Sequence, residues 1–176
     1  MKATVMWFRR DLRLSDNPAL QASANDSQVL PVYVVDPQHA GTGHKLRRLH
    51  ESLAQLRAQT GGTLVVRHGN PSDVIVSLAE LVGATEVHMT ADPTPRGRAV
   101  TGDVEAVLTQ RKIDLVQTGT PYAVPPGQVL NGSGTRYQVF TPFLRAWREH
   151  CGQDPFSEVD VDWMTGIASD DLRVEG

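Results

Sequence analysis

The sequence has almost no cysteine, and its histidines show no metal-ligand spacing. Cys151 is the single cysteine among 176 residues, which excludes an internal disulfide and every zinc site that needs two or more thiolates. None of the six histidines lies four residues from another, the spacing that places two ligands on one face of a helix. We therefore expect this chain to bind no metal.

Long apolar runs are also missing. No stretch approaches the roughly 20 apolar residues that span a bilayer. The chain enters a short β-like run directly after Lys2, without the apolar core and cleavage site of a signal peptide. We expect a cytoplasmic protein without membrane contact, and 40% hydrophobic with 21% charged residues suits one globular domain.

The net charge of −3 is unevenly distributed. Residues 151–176 contain seven acidic residues and one basic residue, so residues 1–150 contain the other sixteen Lys/Arg and thirteen Asp/Glu. An excess of three positive charges is too small to predict DNA binding, which depends on many phosphate contacts. We interpret residues 1–150 as the folded domain and residues 151–176 as an acidic linker or tail, held at most by Phe156 and Trp163.

Short apolar runs alternate with segments of helical periodicity. The runs are continuous, as in parallel strands covered on both faces, and lie at residues 4–8, 28–35, 63–67, 86–90 and 114–118. The helical segments are residues 17–24, 44–60, 71–82, about 98–111 and 142–150. This alternation predicts an α/β fold, a doubly wound (Rossmann-like) five-stranded parallel sheet with helices on both faces.

Side chains with capping chemistry predict where these helices begin. Asp16 is expected to cap the first helix, and Asn70 precedes a proline at the start of the third. Thr141 and Pro142 form the same pair for the last helix. Residues 119–141 are rich in proline and glycine and are expected to form a loop.

Ligands of doubly wound sheets bind beyond the carboxyl ends of the strands, where the strand order reverses. The loops at this edge follow Phe8, Val35, Arg67 and Thr90. Arg9, Arg10 and Arg13 lie in the first of these loops. They either face a ligand or form ion pairs with Asp11 that stabilise the loop, and spacing alone does not decide between the two.

A second candidate loop is Gly41-Thr42-Gly43-His44-Lys45, between a strand and a helix. Its backbone amides could hold an anion, or it could be an ordinary flexible loop. It matches neither common phosphate-binding motif, because Leu46 stands where a third glycine is needed. The basic residues Lys45, Arg47 and Arg48 form a surface face or contact an anionic ligand.

The first loop lies within a longer signature. Residues 7–20 read Trp-Phe-Arg-Arg-Asp-Leu-Arg-Leu-Ser-Asp-Asn-Pro-Ala-Leu, which resembles the opening signature of DNA photolyases and cryptochromes. Further matches follow in order at residues 34–37, 52–56, 69–71, 132–134 and 137–147. The resemblance covers residues 3 to 150 and implies the first, α/β domain of that family.

The resemblance implies an antenna function. In that family the first domain holds an accessory chromophore, a methenyl folate, a deazaflavin or a flavin such as FMN. Absorbed blue light passes by resonance transfer to reduced FAD in a following helical domain, which repairs pyrimidine dimers in DNA. No segment here has the length or helical content of that domain, so we expect this chain alone to have no catalytic residues. Its expected partner is a helical FAD-binding domain or chain, with DNA contacted only through the parent protein.

The resemblance also implies site residues and a preferred chromophore. Residues 92–98 resemble the deazaflavin-type pattern Asp-x-x-Pro-Tyr-Gly-Arg, with Arg96 replacing the tyrosine. Gly97 stands where folate binders have a carboxylate, which favours a deazaflavin over a methenyl folate or FMN. Val100 and Thr101 depart from the Arg-Asp usual in that pattern. The implied crevice residues are Arg9, Val35, Asp36, Lys45, Leu46, Leu49 and Asp92.

Two other functions stay open. The chain could be a scaffold without chromophore that docks a separately encoded flavoprotein. It could also be a nucleotide-binding α/β module, since related folds bind ATP in the same crevice. The lack of a glycine-rich phosphate loop argues against the nucleotide-binding hypothesis.

Overall fold

The computed structural model describes residues 2–37, 42–151 and 159–172. Five strands and five helices alternate along these residues, close to the positions expected from the sequence. The strands are β1 (Lys2–Phe8), β2 (Ser27–Val35), β3 (Val65–His68), β4 (Glu86–Met89) and β5 (Asp114–Gln117). The helices are α1 (Pro18–Ser23), α2 (His44–Gln59), α3 (Pro71–Val82), α4 (Pro95–Gln110) and α5 (Phe140–His150).

All the strands pair in parallel, in the order β3-β2-β1-β4-β5. The chain moves outward from β1 to β3 and then returns to the other side of β1 for β4 and β5. The strand order therefore reverses between β1 and β4, whose carboxyl ends flank the switch point. The predicted doubly wound five-stranded sheet is confirmed. No helix of the described residues is long and apolar enough to cross a membrane.

Alternate residues of the central strand β1 pack on opposite faces of the sheet. Val5 and Trp7 belong to a cluster completed by α3 and α4, whereas Met6 and Phe8 belong to a second cluster that includes residues of α1 and α2. None of the four is more than 2% exposed. Full burial of a large apolar side chain contributes roughly 1.5–3 kcal/mol, so both layers of helices stabilise the same strand.

Two helices are capped differently from the prediction. The cap of α1 is Asn17 rather than Asp16, and the Asn17 side chain accepts a hydrogen bond from the amide three residues on, at 3.1 Å. Asp16 instead has a left-handed backbone with φ of 50°. Helix α5 begins at Phe140, one residue before Thr141, with Val139 at the cap position and no side-chain cap hydrogen bond.

Helix α4 begins three residues before the expected Arg98. Thr94 is its cap, and the Thr94 hydroxyl accepts a hydrogen bond from the amide of Gly97 at 3.0 Å. Pro95 occupies the first turn, where its missing N–H costs nothing. The earlier start places Arg96 and Gly97 in the first turn of α4, at the carboxyl edge of the sheet.

Residues 159–172 lie along the β2–β3 edge of the sheet. Trp163 forms a parallel bridge with Val29, and its two neighbours make backbone hydrogen bonds with Val29 at 2.9 and 2.8 Å. Further along, the amide of Asp170 donates to a β3 carbonyl at 2.9 Å. The sequence predicts a linker or tail here. In the structure these residues are held by backbone pairing, by hydrogen bonds from β3 amides to the Ser169 and Asp170 side chains, and by partly buried apolar side chains on both core clusters. Phe156 lies outside the described residues.

Helix α5 is amphipathic, and none of its residues is buried by the rest of the described structure. Its apolar residues fall on one side, yet none of them is buried. Phe140 is 70% exposed and the preceding Val139 is 63% exposed. Phe143 contacts Tyr137 edge to face, with 6.3 Å between the ring centroids. The helix therefore presents apolar surface to solvent.

Candidate functional site

A cavity of about 370 Å³ opens at the carboxyl edge of the sheet. Its walls come from the ends of β1 and β2, the loop after β4, the first turns of α3 and α4, and α2. The volume falls within the roughly 300–1,000 Å³ of small-molecule sites. The cavity lies beside the β1–β4 switch point, where the topology predicts a ligand.

The cavity combines an apolar interior with a few charged groups. Seven of its fifteen lining residues are apolar, and they are Trp7, Phe8, Val34, Val35, Leu49, Pro71 and Val100. The charged groups are Arg9, Arg10, Asp36, Asp92 and Arg96. This combination suits a flat, largely apolar ring with a few polar atoms.

Arg9 is fixed in the inner wall of the cavity. Its Nη1 atom donates to the hydroxyl of Thr101 at 2.9 Å and approaches the carbonyl of Gly97 at 3.4 Å. The guanidinium carbon lies 4.8 Å from the ring centroid of Trp7, a cation–π contact. Burial lowers the pKa of Arg9 while the Asp92 carboxylate opposes the shift, and the guanidinium remains charged at neutral pH.

Asp92 is a buried carboxylate at the start of α4, with its side chain 8% exposed. Its Oδ1 accepts a hydrogen bond from the amide of Thr94 at 3.0 Å. Its oxygens lie 4.0 Å from Arg9 Nη2 and 3.9 Å from Arg10 Nη1. Burial alone would raise the pKa of Asp92, but hydrogen bonds from Thr94 and the two arginines together lower it. Asp92 is therefore ionised, and the helix dipole favours its charge.

Gly97 makes room for Asp92. A Cβ added at Gly97 would lie 2.1 Å from Asp92 Cγ and 2.4 Å from Oδ2, far inside van der Waals contact. Any side chain at this position would therefore displace the Asp92 carboxylate. The glycine in the Asp-x-x-Pro-x-Gly pattern is thus a direct steric consequence of the aspartate five residues earlier.

The charged side chains at the mouth of the cavity are more exposed than Arg9 and Asp92 inside it. Arg96 Nη2 lies 3.7 Å from Asp36 Oδ2, and the two side chains are 53% and 20% exposed. The Arg10 side chain is 58% exposed. Exposed ion pairs of this length contribute about 0–1 kcal/mol, so these side chains remain able to rearrange.

The structure brings together most of the residues expected at the site. Arg9, Val35, Asp36, Leu49 and Asp92 all line the cavity. Lys45 and Leu46 are not among its lining residues; Lys45 is exposed and Leu46 half-buried on α2. Gly41, the first residue of the Gly41-to-Lys45 loop, lies outside the described residues, so the choice between an anion site and an ordinary flexible loop stays untested.

Other lining residues were not expected, among them Trp7, Tyr33 and Thr94. The alternation along β1 offered a signal for Trp7, because Trp7 and Arg9 are two residues apart and so share a face. Tyr33 had the same signal, because it lies two residues before Val35 on β2 and so shares its face. Burial raises the pKa of Tyr33, against the opposing charge of Arg9.

The two hypotheses for the first loop apply to different arginines. Arg13 Nε lies 2.9 Å from Asp11 Oδ1, and Arg13 Nη1 donates to Asp16 Oδ2 at 2.9 Å. Arg13 therefore stabilises the loop, whereas Arg9 and Arg10 face the cavity. No group of three or more His, Cys, Asp or Glu in the described part of the chain could hold a metal ion.

The family to which this chain belongs follows from a comparison of its sequence with models of protein families. The family model described as DNA photolyase matches residues 4–160. This chain belongs to the DNA photolyase family. The resemblance in the opening signature is thereby confirmed across most of the chain.

Individual photolyase relatives match at about one third identity. The deoxyribodipyrimidine photo-lyase of a Synechococcus strain is 34% identical over 178 residues, which cover 93% of this chain and 37% of the relative. Cryptochrome DASH of Natronomonas pharaonis is 33% identical over 85% of this chain and 33% of its own length. The chain thus spans about a third of the length of each of these two relatives.

Solved photolyase structures share the fold. A bacterial class III photolyase from Agrobacterium tumefaciens superposes with a TM-score of 0.81 at 30% identity, over 97% of this chain and 37% of that protein. An archaeal photolyase from Sulfolobus tokodaii, described with two FAD molecules, has a TM-score of 0.77 at 19% identity, over 97% of this chain and 40% of its own. At that lower identity the likeness concerns the fold alone.

Proposed function

We propose that this chain is an antenna domain whose cavity binds a flat, light-absorbing chromophore. The observation that carries the proposal is the open cavity of about 370 Å³ beside the β1–β4 switch point. Its apolar walls suit an aromatic ring, and Arg9 and Asp92 supply a donor and an acceptor for polar atoms at the ring edge. A cavity closed by side chains would have left no room for such a ring.

The chain would act by holding the ring rather than by making bonds. The bound chromophore supplies absorption of near-ultraviolet or blue light and transfer of the excitation to FAD. The apolar walls exclude water from the ring, and the fixed Arg9 guanidinium restricts its orientation. Repair of pyrimidine dimers and contact with DNA would then belong to a parent protein that contains a helical FAD-binding domain.

Among the possible chromophores, we propose a deazaflavin in preference to a methenyl folate or FMN. The Asp92–Gly97 contact supports this choice, because a carboxylate at residue 97 of the kind expected for folate binding could not coexist with Asp92 in its present position. Arg96, which replaces the tyrosine of the deazaflavin-type pattern, lies at the mouth and leaves the interior free.

The proposed partner is the helical FAD-binding domain, docked on the apolar face of α5. More than half of each of these two relatives lies outside the region that this chain matches, and we propose that part of that remainder packs against a domain of this kind. The exposed Phe140 and Val139 provide apolar surface of the kind that interfaces bury. A cytoplasmic location stays a prediction of the sequence.

Docking can be tested with a helical domain supplied as a separate chain from a close relative. We expect Phe140→Asp to weaken association at least about tenfold, since a buried aromatic anchor contributes about 2 kcal/mol or more. Leu81→Asp is the control, because Leu81 is a comparably exposed apolar residue, 65% exposed, on a different helix, α3. Equal association of the two variants would exclude α5 as the docking surface.

Chromophore binding can be tested by reconstitution. The purified chain is incubated with deazariboflavin, methenyl folate or FMN, separated from excess ligand, and examined by absorption between the near ultraviolet and the blue. We expect retained absorbance, highest with the deazaflavin. Asp92→Asn should reduce it, because Asp92 supplies the acceptor at the ring edge, while Asp103→Asn, on the exposed side of α4, should not. If the chain retains none of the three chromophores, the proposal is contradicted.

A further inference from the structure

We infer that Arg9 protects the excited state of a ring bound in this cavity by making Trp7 hard to oxidise. The inference rests on the proposed function, since it concerns the same cavity, and adds a second role for Arg9. An indole beside an excited aromatic ring donates one electron to that ring, and the electron then returns to the indole while the excitation is lost as heat. No bond changes in this cycle. An antenna must suppress it, because the excitation has to survive until it is passed on.

Trp7 is the aromatic wall residue from which an electron leaves most directly. It lines the cavity, and an indole loses an electron without first losing a proton. Tyr33 also lines the cavity, but a phenol is oxidised readily only when a base takes its proton. Within the described part of the chain the Tyr33 hydroxyl has no hydrogen-bond acceptor, and burial raises its pKa against the opposing charge of Arg9. The indole is therefore the group that needs protection.

Arg9 places a fixed positive charge on the face of this indole. The guanidinium carbon lies 4.8 Å from the ring centroid of Trp7. A cation in this position attracts the neutral indole and repels an indole that has lost an electron. Trp7 is 2% exposed and the Arg9 side chain 15% exposed, so little water screens the contact. Both effects raise the free energy of oxidising Trp7.

Thr101 holds Arg9 in this position without neutralising it. The Thr101 hydroxyl donates to the carbonyl of Gly97 at 2.7 Å, which leaves its oxygen free to accept from Arg9 Nη1 at 2.9 Å. Thr101 is only 5% exposed, so the arrangement is enclosed. A carboxylate at this position would hold Arg9 equally well but would cancel much of its field at Trp7. The neutral hydroxyl keeps the charge of Arg9 effective on the indole.

Asp92 offsets only part of this charge. Its oxygens lie 4.0 Å from Arg9 Nη2 and 3.9 Å from Arg10 Nη1, so two guanidinium groups share one carboxylate. The three groups together have one positive charge in excess. Asp92 also accepts a hydrogen bond from the amide of Thr94 at 3.0 Å, which ties it to the start of α4. Trp7 therefore lies beside a group of charges whose sum is positive, with Arg9 against its face.

The fluorescence lifetime of a bound ring tests the inference. Deazariboflavin is bound to the wild-type chain and to Arg9→Gln, excess ligand is removed, and the fluorescence decay of the retained ring is recorded. We expect the decay to be roughly threefold or more faster in Arg9→Gln, a factor that matches the energy of a cation–π contact. Equal lifetimes in the two proteins would overturn the inference.

A second substitution locates the effect at Trp7. Trp7→Phe added to Arg9→Gln should restore the wild-type lifetime, because a phenyl ring is much harder to oxidise than an indole. Arg98→Gln is the matched control, since Arg98 is exposed on α4 and donates to the carbonyl of Pro93 instead of lining the cavity. Its lifetime should equal that of the wild type. A shortening in Arg9→Gln that persists after Trp7→Phe would also overturn the inference.

Two variants of nearly equal size at Thr101 separate charge from geometry. Thr101→Asp keeps an acceptor for Arg9 and adds a negative charge, so the lifetime should shorten. Thr101→Asn keeps a neutral acceptor, so its lifetime should remain longer than that of Thr101→Asp. Equal lifetimes in these two variants would contradict an electrostatic role for Arg9.

A measurement without ligand covers the case in which Arg9→Gln no longer retains the ring. Trp147→Phe and Trp163→Phe together leave Trp7 as the single tryptophan of the three in the chain. Pulse radiolysis with a one-electron oxidant then gives the rate at which Trp7 is oxidised. Arg9→Gln should raise this rate severalfold, and an unchanged rate would overturn the inference. If the wild-type chain itself retains no ring, the proposed function is rejected instead, and no excited state exists to protect.

Discussion

The inner corner of the cavity, formed by Arg9 and Asp92, and its rim, where Arg96 faces Asp36, each contain an arginine and an aspartate. The inner side chains are largely buried, whereas those at the rim are more exposed. Inside, Arg9 and Asp92 are largely buried and fixed by hydrogen bonds to Thr101 and Thr94. At the rim, Arg96 is exposed and contacts Asp36 only at 3.7 Å. The buried charged groups therefore stabilise the fold, whereas the exposed charged groups remain available to bind a ligand. Substitutions inside should change stability, and substitutions at the rim should change binding.

The largest effect is expected for Gly97→Ala. The new methyl group would lie about 2 Å from the Asp92 carboxylate, so Asp92 or the first turn of α4 must move. Overpacking of this kind typically costs about 1–3 kcal/mol. Urea denaturation should show this loss in the free energy of unfolding, together with reduced chromophore retention.

Two comparisons sharpen this prediction. Gly102→Ala is the matched control in the same helix, because no atom lies within 4 Å of an added Cβ there. It should stabilise the protein by up to about 1 kcal/mol through helix propensity. Adding Asp92→Ala to Gly97→Ala should remove part of the loss, since the clash disappears. Strictly additive effects of the two substitutions would contradict the steric account.

The next largest effect is expected for Arg9→Met. The substitution removes the hydrogen bond to Thr101 and one of the two cations near Asp92. Leaving buried polar groups unpaired costs about 1–3 kcal/mol. Thermal and urea unfolding should both show the change, and a variant as stable as the wild type would mean that Arg9 does not fix the inner corner.

A much smaller change in stability is expected for Arg96→Gln. Its ion pair with Asp36 is exposed and long, and substitutions at such sites usually stay within about 0.5 kcal/mol. The same urea experiment tests this, with Arg98→Gln beside it. A loss comparable to that of Arg9→Met would erase the distinction between rim and interior.

The smallest effect is expected in the dependence of stability on acidic pH, and it involves Asp92. The pKa of Asp92 is lowered below its ordinary value of 3.8 by hydrogen bonds from Thr94 and by the arginines, which outweigh the opposite effect of burial. Below pH 3.8 the unfolded state therefore binds more protons than the folded state, and stability decreases as pH falls towards the folded pKa. Asp92→Asn should unfold with a shallower acid dependence between about pH 5 and pH 3 than Asp103→Asn. Identical slopes would show that Asp92 is not stabilised as an anion.

The architecture could be read from the sequence because each strand is a short, continuous apolar run. Val5 to Phe8 illustrates this, since all four residues are buried on one side of the sheet or the other. The position of residues 159–172 could not be read in this way. Their attachment combines backbone hydrogen bonds to Val29 with side-chain contacts from residues such as Trp163, Ser169 and Asp170, which form no sustained helical or strand period.

The site was predictable where it follows chain topology. Arg9 directly follows β1, Val35 ends β2 and Asp92 lies three residues after β4, so a parallel sheet brings them to one edge. Lys45 and Leu46 were expected there and do not line the cavity, because the orientation of α2 depends on how Leu53 and Leu56 pack on the sheet. The difference between inner and rim charges was also hidden, since burial is a property of the folded chain.

The most direct test is a calorimetric titration of deazariboflavin into the wild-type chain and into Val100→Trp. Val100 lines the cavity and is half-buried, so a tryptophan there would fill the space that the ring needs. We predict binding of one ring per wild-type chain and none by the variant, provided that its melting temperature is preserved. Equal binding by both proteins would contradict the claim that this cavity holds the ring, and binding by neither would contradict the choice of a deazaflavin.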